Sequence, residues 1–234
     1  LEIKVDDRNK NIYKNVINSE LAATMLCYHN VLAKAEIRVC DKVFDTTTYT
    51  PTTVTNEWDD HANATPIDDV MAAAQRVRNK TGQYANAVIF NREVRRNVVR
   101  CQQIIDRIAG QGAGSEIEPA SITNAQLAQC FDVKQVIVPD CSFDATDEGQ
   151  SNTNLTDIWS KEYCAVGKIA ETSLLEEVAF GRTFHYTGDG SQSDGLVESY
   201  YSDELRGDVI RVRHETDEKV VHEECMELLD NISS

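Results

Sequence analysis

The residues of this sequence that could do chemistry begin with its cysteines. Cys27, Cys40, Cys101, Cys130, Cys141, Cys164 and Cys225 are odd in number and include no C-x-x-C pair. That is the pattern of individually buried thiols in a reducing compartment, not of a disulfide framework. His222 and Cys225 stand three apart, with His214 upstream. On a helical turn they would converge on a metal, but on a strand residues three apart face opposite sides, and no fourth ligand suggests itself. Cys164 and His185 could supply a thiol and a base, yet nothing in their local sequence activates either. Asp59, Asp60 and His61 resemble a hydrogen-bonding cluster and Asp68 and Asp69 a carboxylate pair; loop polarity and helix-dipole charge account for them. "YTGDGSQSDG", 186–195, has the spacing of neither phosphate-binding glycine motif, and there is no G-x-S-x-G elbow. The reading is of a protein with no catalytic residue, no metal and no cofactor, and so not an enzyme.

With 234 residues the chain can hold one large core or two modest ones. Its 41% hydrophobic and 26% charged residues exclude a disordered composition. No apolar run approaches the ~20 residues needed to cross a bilayer, and there is no basic-then-apolar leader, so no membrane is expected and the chain reads as cytosolic. It starts at Leu1, which reads as a processed product or the ordered part of something longer. A net charge of −16 argues against gripping nucleic acid, which runs on clustered Lys and Arg. The densest basic set, Arg92, Arg95, Arg96 and Arg100, falls at helical spacing and reads as a solvated face.

The elements that would position these residues begin with 1–17, a polar arm or hairpin leg with Ile3 and Val5, then Ile12, Val16 and Ile17. From Ser19 to about Val43, Leu21, Met25, Tyr28, Leu32, Ala35 and Val39 step by four and three as the buried stripe of an amphipathic helix. "DTTTYTPTTVT", 45–55, is a stiff extended crossing. The helix 66–81 carries every boundary signal. Thr65 is its N-cap, Pro66 its first residue, and Asp68 and Asp69 sit on the positive end of its dipole. Ile67, Val70, Met71, Ala74 and Val77 form its apolar face, and Gly82 is its left-handed cap. A strand at 85–90 precedes a helix with Val94, Val98, Cys101, Ile105 and Ile108 that ends at Gly110. Thr123 caps "NAQLAQCF", the strand "VKQVIVP" follows, and 140–156 is a long polar loop. Strands are expected near 157–169, 179–186 and 208–213, with "HETDEK", 214–219, as a hairpin tip and "VVHEECMELL" as a return strand or closing element. Early helices and late strands give an α+β fold class.

The order "AKAEIRVCDKVFDTTTY", "EWDDHANATPIDDVMAAAQRVRNKTGQYANAVIFNREVRRNVVR", "LAQCFDVKQVIVPD", "DIWSKEYCAVG", "AFGRTFHY", "DVIRVRHETDEKVV" resembles the major capsid proteins of tailed bacteriophages, from about Leu21 to the C-terminus. The resemblance implies the Hong Kong 97-type fold. On it, 1–17 belongs to an extended arm and 18–82 to a peripheral domain whose spine is 66–81. Residues 83–207 are mainly an axial domain, and 208–234 return to the peripheral domain. The resemblance places Ser142, Asp144, Asp147, Asn152 and Asn154 in a loop at the capsomer centre. It places His214, Glu215, Asp217 and Lys219 near local threefold contacts. It implies self-assembly into hexamers and pentamers of an icosahedral shell around double-stranded DNA, held without sequence-specific binding. It allows scaffolding, portal, protease and decoration proteins as partners, and a virion location after assembly in the host cytoplasm. The alternatives are an encapsulin-like compartment shell and, more remotely, a small enzyme with a Cys/His site.

Overall fold

A computed structural model describes residues 1–13, 18–110, 118–146, 149–150, 153–188 and 195–234. In chain order the first elements are β1 (Glu2–Asp6), α1 (Asp7–Tyr13), α2 (Ser19–Val43), β2 (Thr52–Thr53), α3 (Pro66–Thr81), β3 (Ala87–Ile89), α4 (Arg92–Val98), α5 (Gln102–Ala109) and α6 (Asn124–Cys130). Strands dominate the rest: β4 (Gln135–Ile137), β5 (Ser142–Asp144), β6 (Leu155–Asp157), β7 (Cys164–Gly167), β8 (Gly181–His185), β9 (Leu196–Ser202), β10 (Gly207–Arg213), β11 (Thr216–Val220) and β12 (Met226–Asp230). The chain divides into two compact units, Leu1–Val39 with Thr183–Glu218, and Cys40–Arg182 with Lys219–Ser234.

In the first unit an antiparallel sheet runs in the order β1-β10-β9, with Ile3 opposite Ile210 and Val209 opposite Tyr200. β10 is central and has buried side chains on both faces, Val209 on one and Ile210 and Val212 on the other, with Asp208, Arg211 and Arg213 half-exposed. Val5, Ala23 and Ile210 pack together beside it. Three expectations change here. The first residues form a paired strand and then a helix, not one extended arm, while Val16 and Ile17 lie outside the described residues. β10 does not turn back through 214–219, because β11 pairs with β8 and β10 already has partners on both edges. On the part of α2 in this unit the buried positions are Ala23 and Cys27, whereas Leu21 (54%), Met25 (57%) and Leu32 (39%) are exposed. The sheet takes the small residues, since only they let the helix approach it closely.

The second unit is built on a mixed five-stranded sheet in the order β2-β12-β7-β3-β4, parallel at β2/β12 and β3/β4 and antiparallel between. β3 and β7 are wholly buried short apolar strands. The segment 220–229 thus closes this sheet, and the fold is α+β as expected. Trp58, Val70, Phe90, Ile104, Leu127 and Leu229 sit in one continuous core. The expected helix through Cys101 is two helices. Cys101 adopts an extended backbone, and the Gln102 N–H is captured by the His61 carbonyl at 2.9 Å. That break shifts the phase by one residue, so Ile104 is buried in place of Ile105. Gly110 ends α5 at φ −64, within the right-handed region.

Between β7 and β8 the chain is held by polar contacts. Asn86 donates to the Ile169 carbonyl at 3.0 Å and to Glu171 at 2.9 Å, and its own oxygen accepts the Ile169 N–H at 2.7 Å. Glu177 accepts the Glu171 and Thr172 N–H groups at 2.9 and 2.8 Å. Lys134 and Asn86 pull the Glu171 carboxyl from 4.5 down to about 2, and the Thr172 hydroxyl does the same to Glu177. Depressed carboxyl pKa values stabilise the fold above the ordinary value, and that support is lost as pH falls through the folded value. Amide exchange in 168–182 is therefore expected to rise between pH 4.5 and 2, before the sheet opens. Simultaneous loss of protection across β3, β7 and β12 would show that these contacts hold nothing locally.

Candidate assembly surfaces

α3 has the boundaries read from sequence. Pro66 occupies the first turn, and Gly82 at φ 76 lets its N–H reach the Arg78 carbonyl at 2.7 Å. The start differs in one respect. The Thr65 side chain makes no capping bond, and Gln103 from α5 accepts the Ile67 N–H at 2.9 Å instead. The helix is therefore capped by its neighbour, which also takes Asp68 through a second amide contact at 2.9 Å. Its buried face is Ile67, Val70, Ala73 and Val77. Met71 is 49% exposed and Ala74 only partly buried, so the apolar stripe is rotated from the expected one toward Ala73. Asp69 accepts the Trp58 indole N–H at 3.0 Å; burial raises its pKa while that bond opposes the rise. At the other end, nearly buried Glu227 of β12 receives Arg76 at 3.1 Å and Lys80, tying α3 to the sheet at its last turns.

The long polar loop contains a hairpin. β5 and β6 pair with Phe143 opposite Thr156 and Asp144 opposite Leu155. Asp144 accepts the Thr146 N–H at 2.9 Å and the Asn154 N–H at 3.2 Å; the Thr146 hydroxyl first, and then these bonds, lower its pKa. Ser142, Asp144 and Asn154 are thus brought together on one exposed hairpin. Asp147 and Asn152 lie outside the described residues.

Of the four residues expected at a hairpin tip, His214 and Glu215 form the connection after β10, while Asp217 and Lys219 lie on β11. The His214 ring stacks near His185 at 6.4 Å between centroids and 30° between planes. Beside them Arg38 grips Glu218 through two bonds of 2.8 and 3.0 Å and also reaches Thr216 at 3.0 Å. That fork holds the Glu218 carboxyl below its usual range. These are ties within the first unit; Glu215 and Asp217 are exposed.

The candidate chemistry is occupied structurally. Asp59 accepts the Ser234 N–H at 3.3 Å and Asp60 the Asn63 side chain at 2.8 Å. Six of the seven cysteines are buried. Burial pushes the Cys101 thiol up to about 12 and raises Cys164 as well, the opposite of what a thiolate nucleophile requires. Iodoacetamide at pH 8 is expected to modify half-buried Cys141 and leave the other six until the chain unfolds. Rapid native labelling of Cys164, read by peptide mass, would reopen the thiol reading. Among the described residues no group of three His, Cys, Asp or Glu side chains could hold a metal, and no helix is long and apolar enough to cross a membrane.

Apolar side chains are also exposed on a helix. Leu21, Met25 and Leu32 form a ridge on α2 at spacings of four and seven, and Leu26 adds 54% exposure beside it. Sequence periodicity found the residues of this ridge but assigned them to the interior.

No family model and no curated protein matches the sequence. The fold is found among solved structures. A phage-related protein from Bordetella bronchiseptica RB50 superposes with a TM-score of 0.76 at 19% identity, over 99% of this chain and 74% of that one. The capsid structure of the cyanophage P-SCSP1u superposes with a TM-score of 0.59 at 8% identity, over 98% of this chain and 70% of that one. The α+β fold expected from the resemblance to phage capsid proteins is thus the fold of this chain.

Proposed function

We propose that the chain is a major capsid protein of a tailed bacteriophage, a structural subunit of the Hong Kong 97 type. It assembles into hexamers and pentamers of an icosahedral shell around double-stranded DNA, in the host cytoplasm, and ends in the virion. The observation that carries this reading is the fold shared along nearly the whole chain with a cyanophage capsid protein. The exposed surface fits it. A ridge of Leu21, Met25 and Leu32 on a 25-residue helix is costly in water, at ~25 cal/mol per Å² of apolar area, and a neighbouring subunit would cover it. The −16 charge lets packaged DNA stay mobile, because few cations are free to neutralise phosphates.

In this reading α3 is the spine of the peripheral domain, a strut ~24 Å long at 1.5 Å per residue. The β5/β6 hairpin faces the capsomer centre, and Glu215 and Asp217 meet neighbours near a local threefold. Scaffolding, portal, protease and decoration proteins are the expected further partners. An encapsulin-like compartment would differ in its content, so nucleic acid or protein inside purified particles separates the two.

The double variant Met25→Glu/Leu32→Glu tests the ridge. Both residues are exposed, so the subunit's melting curve should shift by no more than about 1 kcal/mol equivalent, while particle yield collapses. Wild-type yield from this variant would mean that the ridge is not an assembly surface.

A further inference from the structure

The scarce positive charge of this chain is concentrated. Arg92, Arg95, Arg96 and Arg100 line a cleft of about 780 Å³ in the second unit. They share it with only two carboxylates, Glu118 and Asp140, in a chain of net charge −16. Two arginines are anchored. Arg95 donates to Asn124 at 2.6 Å and to the Ile122 carbonyl at 2.7 Å, and Arg92 pairs with Asp140 at the rim. Arg96 and Arg100 are exposed and make no ion pair among the described residues. Val99, Pro119 and Val138 add apolar lining to the same cleft.

We propose that this cleft receives Asp203 and Glu204, in the turn between β9 and β10, from a second copy of the chain. The proposal rests on the shell reading above. Copies of a strongly acidic chain repel one another, so close packing requires their few cations to face a neighbour's carboxylates. Arginine forks match carboxylates with two parallel bonds. The β9–β10 turn presents Asp203 and Glu204, both exposed, ahead of Leu205 at 44% exposure and exposed Arg206, so the carboxylates outnumber the one cation. The two carboxylates and Leu205 match guanidiniums that make no ion pair among the described residues and lie in one cleft with apolar side chains. A cleft of this size holds a small ligand or a few side chains, the range being ~300–1,000 Å³. It is too small to seat a DNA duplex, whose phosphates could touch only its rim.

The test is charge reversal in the whole chain, with wild type alongside. Arg96→Glu/Arg100→Glu and Asp203→Lys/Glu204→Lys should each reduce particle yield about tenfold or more with unchanged circular dichroism and melting. The fourfold variant should recover yield to within about threefold of wild type, because opposite charges again face each other. Normal assembly of either double variant, or no recovery in the fourfold one, overturns the proposal while wild-type particles leave the shell reading standing. Intact particles that have lost DNA would assign the cleft to phosphate and overturn it equally. If wild type forms no particles, the shell reading fails by itself. The same loss and recovery must then appear in subunit association by sedimentation equilibrium, and its absence overturns the cleft.

Discussion

Val70→Asp is expected to leave no folded subunit. Val70 is fully buried in the middle of α3, within the core that includes Trp58, Phe90 and Val166. Its surroundings in that core are apolar, so a carboxylate would be desolvated there, at a cost of several kcal/mol. A domain's whole stability is ~5–15 kcal/mol, so the loss is large enough to send the chain to the insoluble fraction. Met71→Asp is the control one residue away. Met71 is 49% exposed, and a charge there should change subunit stability by no more than about 0.5 kcal/mol. Solubility and the melting curve of the free subunit decide between them. Equal tolerance of both charges would mean that α3 does not bury the face described.

The second large effect is expected at Trp58, which is fully buried and meets Phe90 edge-on at 6.4 Å between centroids. Trp58→Ala should cost ~3–5 kcal/mol in urea unfolding, through lost packing and an unfilled cavity. Trp58→Phe keeps most of the packing but removes the donor to Asp69, for a smaller cost of ~1–3 kcal/mol. The two losses have different pH dependence. Burial raises the Asp69 pKa above its ordinary 3.8 in the folded chain, so its ionised form is already disfavoured there. Without the indole N–H that penalty grows at neutral pH and fades as pH falls through the raised value toward 3.8 and below. The packing loss does not fade. A pH-independent cost for Trp58→Phe would show that the Asp69 bond contributes nothing.

The parts legible in sequence are those whose signals are local. α3 could be bounded to the residue because proline, dipole charge and a terminal glycine all lie within the helix or beside it. The N-cap at Thr123 is equally local, and Thr123 does cap α6, where Gln126 completes a capping box. What failed depended on distant partners. The break at Cys101 needs the His61 carbonyl, and the cap of α3 comes from Gln103, some 36 positions away. Residues 214–219 read as a hairpin tip because they directly follow β10, whereas most of them belong to β11, whose partner is β8. β5 and β6 are three-residue strands, fully exposed, with no apolar alternation to mark them. The α2 ridge failed for a different reason. Hydrophobic spacing reports that a face must be covered and is silent on what covers it, so a surface suited to a neighbouring subunit reads like one facing the interior. The candidate site was accordingly legible as a set of residues more than as a geometry.

Negative-stain electron microscopy of the purified chain, beside its size-exclusion profile, bears most directly on the shell role. Closed shells, or rings of five and six subunits, are the expected result. A monomer that remains monodisperse at every concentration, with no rings or shells on the grid, would contradict it.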